Sequence, residues 1–241
     1  MYSDFREFAM EYLPHNITME LPAGTFPLST DSVVLAHSVR LPKNARVLDL
    51  GSGCGTLGLM LCACDPGCTV TGVELSEESH RAAQDNIRRN GLEDRLESIC
   101  ADLRTLPTAF LDERFHCVVS NPPYFSGGPA SQTTPLARRD DCCSPEELFS
   151  CACRALRYGG DFYLVHKPEK LAQLIVCAAG HHLELKQLTL IRHREGSPVS
   201  MILLQFKKGG KPGLRLKEHS LYDSQDHPTD YYREVYHIKG D

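Results

Sequence analysis

Arg46-Val47-Leu48-Asp49-Leu50-Gly51-Ser52-Gly53-Cys54-Gly55 decides the fold. Its first five residues form a short apolar run of strand character. The next five make a tight turn, and Thr56 to Ala63 then reads as a helix. Glycine allows such a turn and lets a ligand approach bare backbone at a helix N-terminus. Gly53-x-Gly55-x-x-Gly58 satisfies the nucleotide-binding fingerprint literally. Glu74 then ends the second strand, at the spacing from the glycines expected of an acid that binds ribose hydroxyls.

The pattern repeats outward from this unit. Thr69 to Val73 is the second strand, and Ser76 caps a helix that opens with Glu77 and Glu78 and stops at Asn90-Gly91. Leu96 to Ala101 and Phe115 to Ser120 are the third and fourth strands. Glu146 to Leu156 is a helix ending at Gly159-Gly160, Asp161 to His166 a fifth strand, and Glu169 to Ala179 another helix. Leu183 to Arg192 and Val199 to Phe206 are joined by a short turn and pair antiparallel. Upstream, Ser29, Thr30 and Asp31 offer a cap for a helix over Ser32 to Val39. Strands alternating with helices imply an α/β fold with a doubly wound, mostly parallel seven-stranded sheet and a C-terminal antiparallel hairpin strand. With 241 residues and 41% apolar content, one domain over 1–241 is expected. It divides into an N-terminal segment (1–30), a core (31–207) and a tail (208–241), which reads as peripheral because few residues beyond Gly209 are apolar.

The fourth strand runs into Asn121-Pro122-Pro123-Tyr124. Two prolines cannot continue a ladder, so the strand ends there and presents an amide and an aromatic ring at its carboxyl end. Open α/β sheets bind ligands at that end. The Asn121 side-chain oxygen and the Pro122 carbonyl can accept from a flat amino group while Tyr124 stacks on its plane. The glycine loop alone fits either NAD or S-adenosylmethionine (SAM). Two carboxylates favour SAM: Asp49, two residues before the first glycine, and Asp102, which closes the third strand. Asp102 serves equally well as a helix cap.

With Asp49, Gly51, Gly53, Gly55, Glu74, Asp102 and Asn121-Pro122-Pro123-Tyr124 in this order, the chain resembles the class I, Rossmann-like SAM-dependent methyltransferases. The Asn-Pro-Pro-Tyr form belongs to those that methylate planar nitrogen. Thr30-Asp31-Ser32-Val33-Val34-Leu35-Ala36 and Ala137-Arg138-Arg139-Asp140 make it similar to the bacterial tRNA adenine-N6 methyltransferases that modify the adenine beside the anticodon of a valine tRNA. The resemblance implies SAM as cofactor, Asn121, Pro122 and Tyr124 as catalytic residues, and Thr30 and Asp31 near the methionine end of the cofactor. It also implies an RNA substrate, with Arg138 and Arg139 beside the pocket.

Charge and cysteine content bound the rest. The net charge of −5 excludes a uniformly basic coat, yet Lys186 to Lys217 carries a local excess that includes Lys207 and Lys208 and suits phosphate contact. Eleven cysteines without a visible signal peptide fit a reducing cytoplasm. Cys62-x-Cys64-x3-Cys68 and Cys151-x-Cys153 lack zinc-knuckle spacing, so they read as free thiols and no metal is expected. No apolar run is long enough for a membrane span. Oligomeric state is not legible. A glutamine-amide methyltransferase acting on release factors, a ribosomal RNA guanine-N2 methyltransferase and a non-catalytic SAM-binding RNA module are the rival readings. An NAD oxidoreductase is the weakest of them.

Overall fold

The computed structural model describes residues 8–22, 29–122 and 143–237. An antiparallel hairpin, β1 (Phe8–Leu13) and β2 (Ile17–Pro22), precedes α1 (Thr30–Ser38). The Rossmann-like half follows as β3 (Arg46–Leu50), α2 (Thr56–Cys64), β4 (Thr69–Glu74), α3 (Glu77–Arg89) and β5 (Leu96–Cys100). After a short α4 (Thr108–Leu111) come β6 (Phe115–Ser120), α5 (Pro145–Ala155), β7 (Leu156–His166) and α6 (Leu171–Gly180). Strands β8 (Leu183–Arg194), β9 (Val199–Lys208) and β10 (Arg215–Tyr222) and helix α7 (Asp230–Tyr236) complete the chain.

The sheet order is β10-β8-β9-β7-β6-β3-β4-β5. Strands β3 to β7 pair in parallel, and β9 runs antiparallel to both β7 and β8. The seven expected strands are all present, with an eighth added. That eighth strand, β10, pairs in parallel with β8 and comes from the segment expected to lie at the periphery. Helix α7 follows it back onto the sheet, where Leu221 and Val235 are buried. Tyr231 stacks on His219 at 4.0 Å, and Tyr232 lies against both Tyr222 and Tyr236. The tail packs through tyrosine rings, which bury large apolar faces yet count as polar in a scan for aliphatic residues.

Two apolar layers cover the sheet. One holds β2, α1, α2, α3 and α7, with Met19, Val33, Leu35, Leu59 and Val235 fully buried. The other holds α5 and α6, centred on Phe149, Phe162 and Phe206, whose rings meet edge-on or tilted 5.2 to 6.1 Å apart. Gly58 explains how tightly α2 sits on the sheet: a Cβ there would come within 2.6 Å of Leu96 Cδ1. One boundary differs from the sequence reading. Helix α5 ends at Ala155, and Gly159-Gly160 lie inside β7, where the pairing with β6 shifts register between Phe115 and Cys117. Gly159 adopts φ 77° there, so these glycines accommodate a bulge rather than end the helix.

The chain reverses direction across the sheet at β3, which has β4 on one side and β6 on the other. Ligands of such sheets bind at the carboxyl ends of the strands beside that switch. Asp49 pairs with Val119, and Ser120 Oγ donates to the Leu50 carbonyl at 2.7 Å. The glycine turn after β3 and Asn121 after β6 are therefore level with each other on neighbouring strands.

Candidate active site

The glycine turn is shaped by its neighbours in the sheet. Gly51 and Ser52 N–H groups both donate to the Val73 carbonyl, at 2.9 and 3.1 Å, which folds the turn over the end of β4. Gly51, Gly53 and Gly55 have φ of 73°, 55° and 90°, a region other residues rarely enter. Nothing lies within 4 Å of where a Cβ would project from Gly51 or Gly53. The turn thus presents an open backbone surface before the first residue of α2.

Glu74, at the end of β4, ties this turn to the next one. Its Oε2 accepts from Gly53 N at 2.8 Å and its Oε1 from Ser76 N at 2.7 Å. Each carboxylate oxygen keeps a further lone pair, so the group is held in place and still able to accept from a vicinal diol. Beneath the turn, Asp49 is fully buried, and neither of its carboxylate oxygens has a hydrogen-bond partner among the described residues. The neighbouring Ser52 hydroxyl is buried and unpartnered in the same sense. Burial, reinforced by the negative charge of Glu74, pushes the Asp49 carboxyl up to about 8, with the Gly58 N–H in the first turn of α2 pulling weakly the other way. Buried polar groups left without partners are rare and costly. The open backbone of the turn and the Glu74 carboxylate beside it form a donor and acceptor set that fits a SAM molecule.

Asn121 faces the same crevice. Its Nδ2 donates to Ser32 Oγ at 2.8 Å and to Ser29 Oγ at 3.3 Å. Ser29 is also the N-cap of α1, accepting from Ser32 N at 3.3 Å. Helix α1 therefore holds the nitrogen end of the amide, and among the described residues no donor reaches Oδ1. Thr30 and Asp31 sit in the same helical turn. Thr30 Oγ1 accepts from the Tyr236 hydroxyl at 3.3 Å, and Asp31 is half-buried, its carboxyl raised by burial against the pull of Lys167. The fold thus brings together Thr30, Asp31, Asp49, Gly51, Gly53, Gly55, Glu74, Asn121 and Pro122 at one edge of the sheet.

Other expected site residues are placed differently. Asp102 caps a single 3-10 turn and its carboxylate is clamped by Arg104, with Nε 2.9 Å from both oxygens and Nη2 2.6 Å from Oδ2. Arg104 also holds the Asp102 carboxyl below its usual range. Lys207 pairs with Asp161 of β7 and Glu184 of β8, and Lys208 with Leu183 at the start of β8, at the amino edge away from Asn121. Lys207 Nζ donates to Asp161 and to the Gly159 carbonyl, both at 2.9 Å. Lys208 Nζ donates to Glu113 and to the Cys153 and Leu156 carbonyls at 2.6 to 2.8 Å. The basic run from Lys186 to Lys217 is split by the antiparallel pairing: Arg192 and Arg194 end up on the carboxyl edge, and Arg215 lies opposite Gln187 toward the other. Tyr124, Arg138 and Arg139 lie outside the described residues. Ser32 and Ser52 were not expected at the site. Ser32 lies 89 residues before Asn121, and only the packing of α1 on the sheet reveals the pair.

Residues 28–187 match the family model of the methyltransferase small domain. A tRNA1(Val) (adenine(37)-N6)-methyltransferase of Bacteroides fragilis is 29% identical over 87% of this chain and 90% of its own length. The enzyme of that name from Aeromonas hydrophila is 30% identical, covering 76% of this chain and 77% of its own. Among solved structures, a protein described as a predicted O-methyltransferase of Agrobacterium tumefaciens superposes with a TM-score of 0.73. It is 24% identical and covers 86% of this chain and 96% of its own. The doubly wound fold and the glycine-lined crevice are those of a SAM-dependent methyltransferase. The chain belongs to the methyltransferase small domain family, and within it to the group that contains these tRNA-modifying relatives.

Proposed function

We propose that the protein transfers a methyl group from SAM to the exocyclic N6 of an adenine in tRNA, beside the anticodon. The observation that carries this reading is the orientation of Asn121, its amide nitrogen tied to Ser32 and its oxygen, at the other end of the amide, reached by no donor among the described residues. The names of the B. fragilis and A. hydrophila relatives support the choice of tRNA and of N6. On this reading the reaction is a cytoplasmic one.

SAM supplies a methyl group already activated on sulfonium. The residues of this chain bind and orient. The glycine turn, with Asp49 beneath it, would admit the cofactor, Glu74 would accept from the ribose, and Thr30 and Asp31 would face its methionine end. Adenine N6 is a poor nucleophile because its lone pair is delocalised into the ring. Asn121 Oδ1 and the Pro122 carbonyl accept its two hydrogens, favour the pyramidal nitrogen and offset the positive charge that develops. A preorganised polar contact of that kind is worth roughly 2.7–4 kcal/mol in a transition state. Tyr124 stacks on the base, which is worth about 1–3 kcal/mol. The base has to leave its stack to enter such a pocket. Arg138 and Arg139 contact the RNA backbone, so Arg138→Ala weakens tRNA binding more than SAM binding, whereas an equal loss on both would count against that role.

Incubation with labelled SAM and, separately, unmodified tRNA, ribosomal RNA and release factor tests the substrate. Label recovered as N6-methyladenosine from tRNA is the expected result. Label on a guanine N2 of ribosomal RNA or on a glutamine amide would replace it with one of the rival substrates.

A further inference from the structure

We propose that His15, Cys64 and His237 form a binding site for one zinc-class divalent cation, which clips both ends of the chain to the catalytic core. This goes beyond methyl transfer and does not depend on which substrate is methylated.

The three residues come from distant parts of the sequence. His15 lies in the single 3-10 turn between β1 and β2, Cys64 is the last residue of α2, and His237 caps the C-terminus of α7. One potential ligand atom from each lies within 4.8 Å of the other two. Cys64 Sγ is 3.1 Å from His15 Nε2, and the two imidazole centroids are 3.9 Å apart. A tetrahedral zinc ion, with Zn–S about 2.3 Å and Zn–N about 2.0–2.1 Å, separates its ligand atoms by roughly 3.3–3.6 Å. Small side-chain rotations reach that spacing, because all three residues are exposed.

Core packing does not account for this cluster. His15 and His237 both occupy left-handed backbone positions, with φ of 63° and 52°, which side-chain-bearing residues seldom adopt. Cys62 and Cys68 are buried, whereas Cys64 points outward. The cysteine spacing alone does not describe a metal site; the fold supplies the missing nitrogen ligands from the two ends of the chain. One thiolate and two neutral imidazoles suit a borderline-soft d10 cation and leave its fourth position to water. Asp65 and Arg40 both line the same hollow. His37 stays outside the ligand set, its ring 6.3 Å from that of His237.

The consequence is mechanical. The hairpin turn, the end of α2 and the end of α7 would be cross-linked, and the residue before His237, Tyr236, donates to Thr30 at the start of α1. Metal binding to the native state alone stabilises it by mass action.

The test is cobalt(II) titration of the metal-free full-length protein under reducing conditions, followed by absorption, with zinc as competitor. Expected are saturation at one equivalent, tetrahedral d–d bands with a thiolate charge-transfer band, and displacement of both by zinc. Cys64→Ser removes the charge-transfer band, and either Cys64→Ser or His237→Ala weakens uptake by at least about 100-fold, beyond what an outer-shell change costs. Cys62→Ser keeps wild-type behaviour, and SAM affinity, unchanged in every variant, shows that each is folded. No saturable uptake at micromolar cobalt, or the same thiolate band in Cys64→Ser, would overturn the site.

Discussion

With its Nδ2 donating to Ser32 Oγ at 2.8 Å, Asn121 has one end of its amide fixed before any substrate arrives. Ser32→Ala removes the shorter of the two bonds that hold that end, leaving only the 3.3 Å contact with Ser29 and keeping the Ser29 cap in place. The expected outcome is a fall in kcat of about tenfold, equivalent to about 1.4 kcal/mol, with SAM affinity and the KM for tRNA unchanged. A parallel loss of SAM affinity would make Ser32 a structural residue only. Asp49 offers a second prediction, with a sign set by burial. Its carboxyl titrates near 8 in the folded chain and near its ordinary acidic value in the unfolded one. Between those values the folded state holds the extra proton, so this group's contribution to stability falls as pH rises from about 4 to about 8. Asp49→Asn removes that slope. The SAM-free variant therefore melts higher than wild type at pH 8.5 and the gap closes toward pH 4, while its SAM affinity drops. Melting curves at the two pH values check the first part, and a SAM titration checks the second. The positions of Asp49 and Asn121 were legible in the sequence because a turn and a strand end fix where they sit. The pairing of Asn121 with Ser32 was not, because it depends on how a helix far upstream lies on the sheet.

At the scale of elements, the hairpin β1–β2 is docked on α3 by two asparagines one turn apart. Asn86, fully buried, accepts from Glu20 N at 2.7 Å and donates to the Glu20 and Cys54 carbonyls at 3.1 and 3.2 Å. Asn90 exchanges the same kind of bonds with Thr18, at 3.1 and 2.8 Å. These amides pair β2 with a helix as a neighbouring strand would. Asn86→Ala leaves buried backbone groups unpaired, at about 1–3 kcal/mol for each group. The expected result is a lower melting temperature and faster proteolysis of the hairpin, with the sheet strands still protected from hydrogen exchange. Uniform loss of protection would show that the hairpin and sheet unfold as one unit. Strands β3 to β6 and helices α2 and α3 were readable from apolar runs, glycine turns and the Ser76 cap, since each is specified locally. Asn86 looked like an ordinary helix residue, because nothing near it in the chain marks what it will touch.

For the whole molecule, the eighth strand and α7 show where composition misleads. Leu221 and Val235 are the buried aliphatic anchors of a segment otherwise packed by tyrosines. Val235→Ala is expected to cost about 2 kcal/mol, as loss of a buried branched side chain does, and to lower thermal stability without changing SAM affinity. A drop in SAM affinity as well would mean that α7 governs the cofactor crevice through Tyr236 and Thr30. The doubly wound sheet followed from the alternation of strands and helices, a long-range consequence of a simple pattern. The fate of the tail did not, because tyrosine packing leaves no aliphatic period to read. The central claim concerns the point where this sheet reverses: Asn121 activates a planar nitrogen beside a SAM-binding turn. The most direct measurement is Asn121→Ala, assayed for SAM affinity and for N6-methyladenosine formed in unmodified tRNA. The account predicts nearly unchanged SAM binding with methyl transfer abolished, and methylation at the wild-type rate in that variant would contradict it.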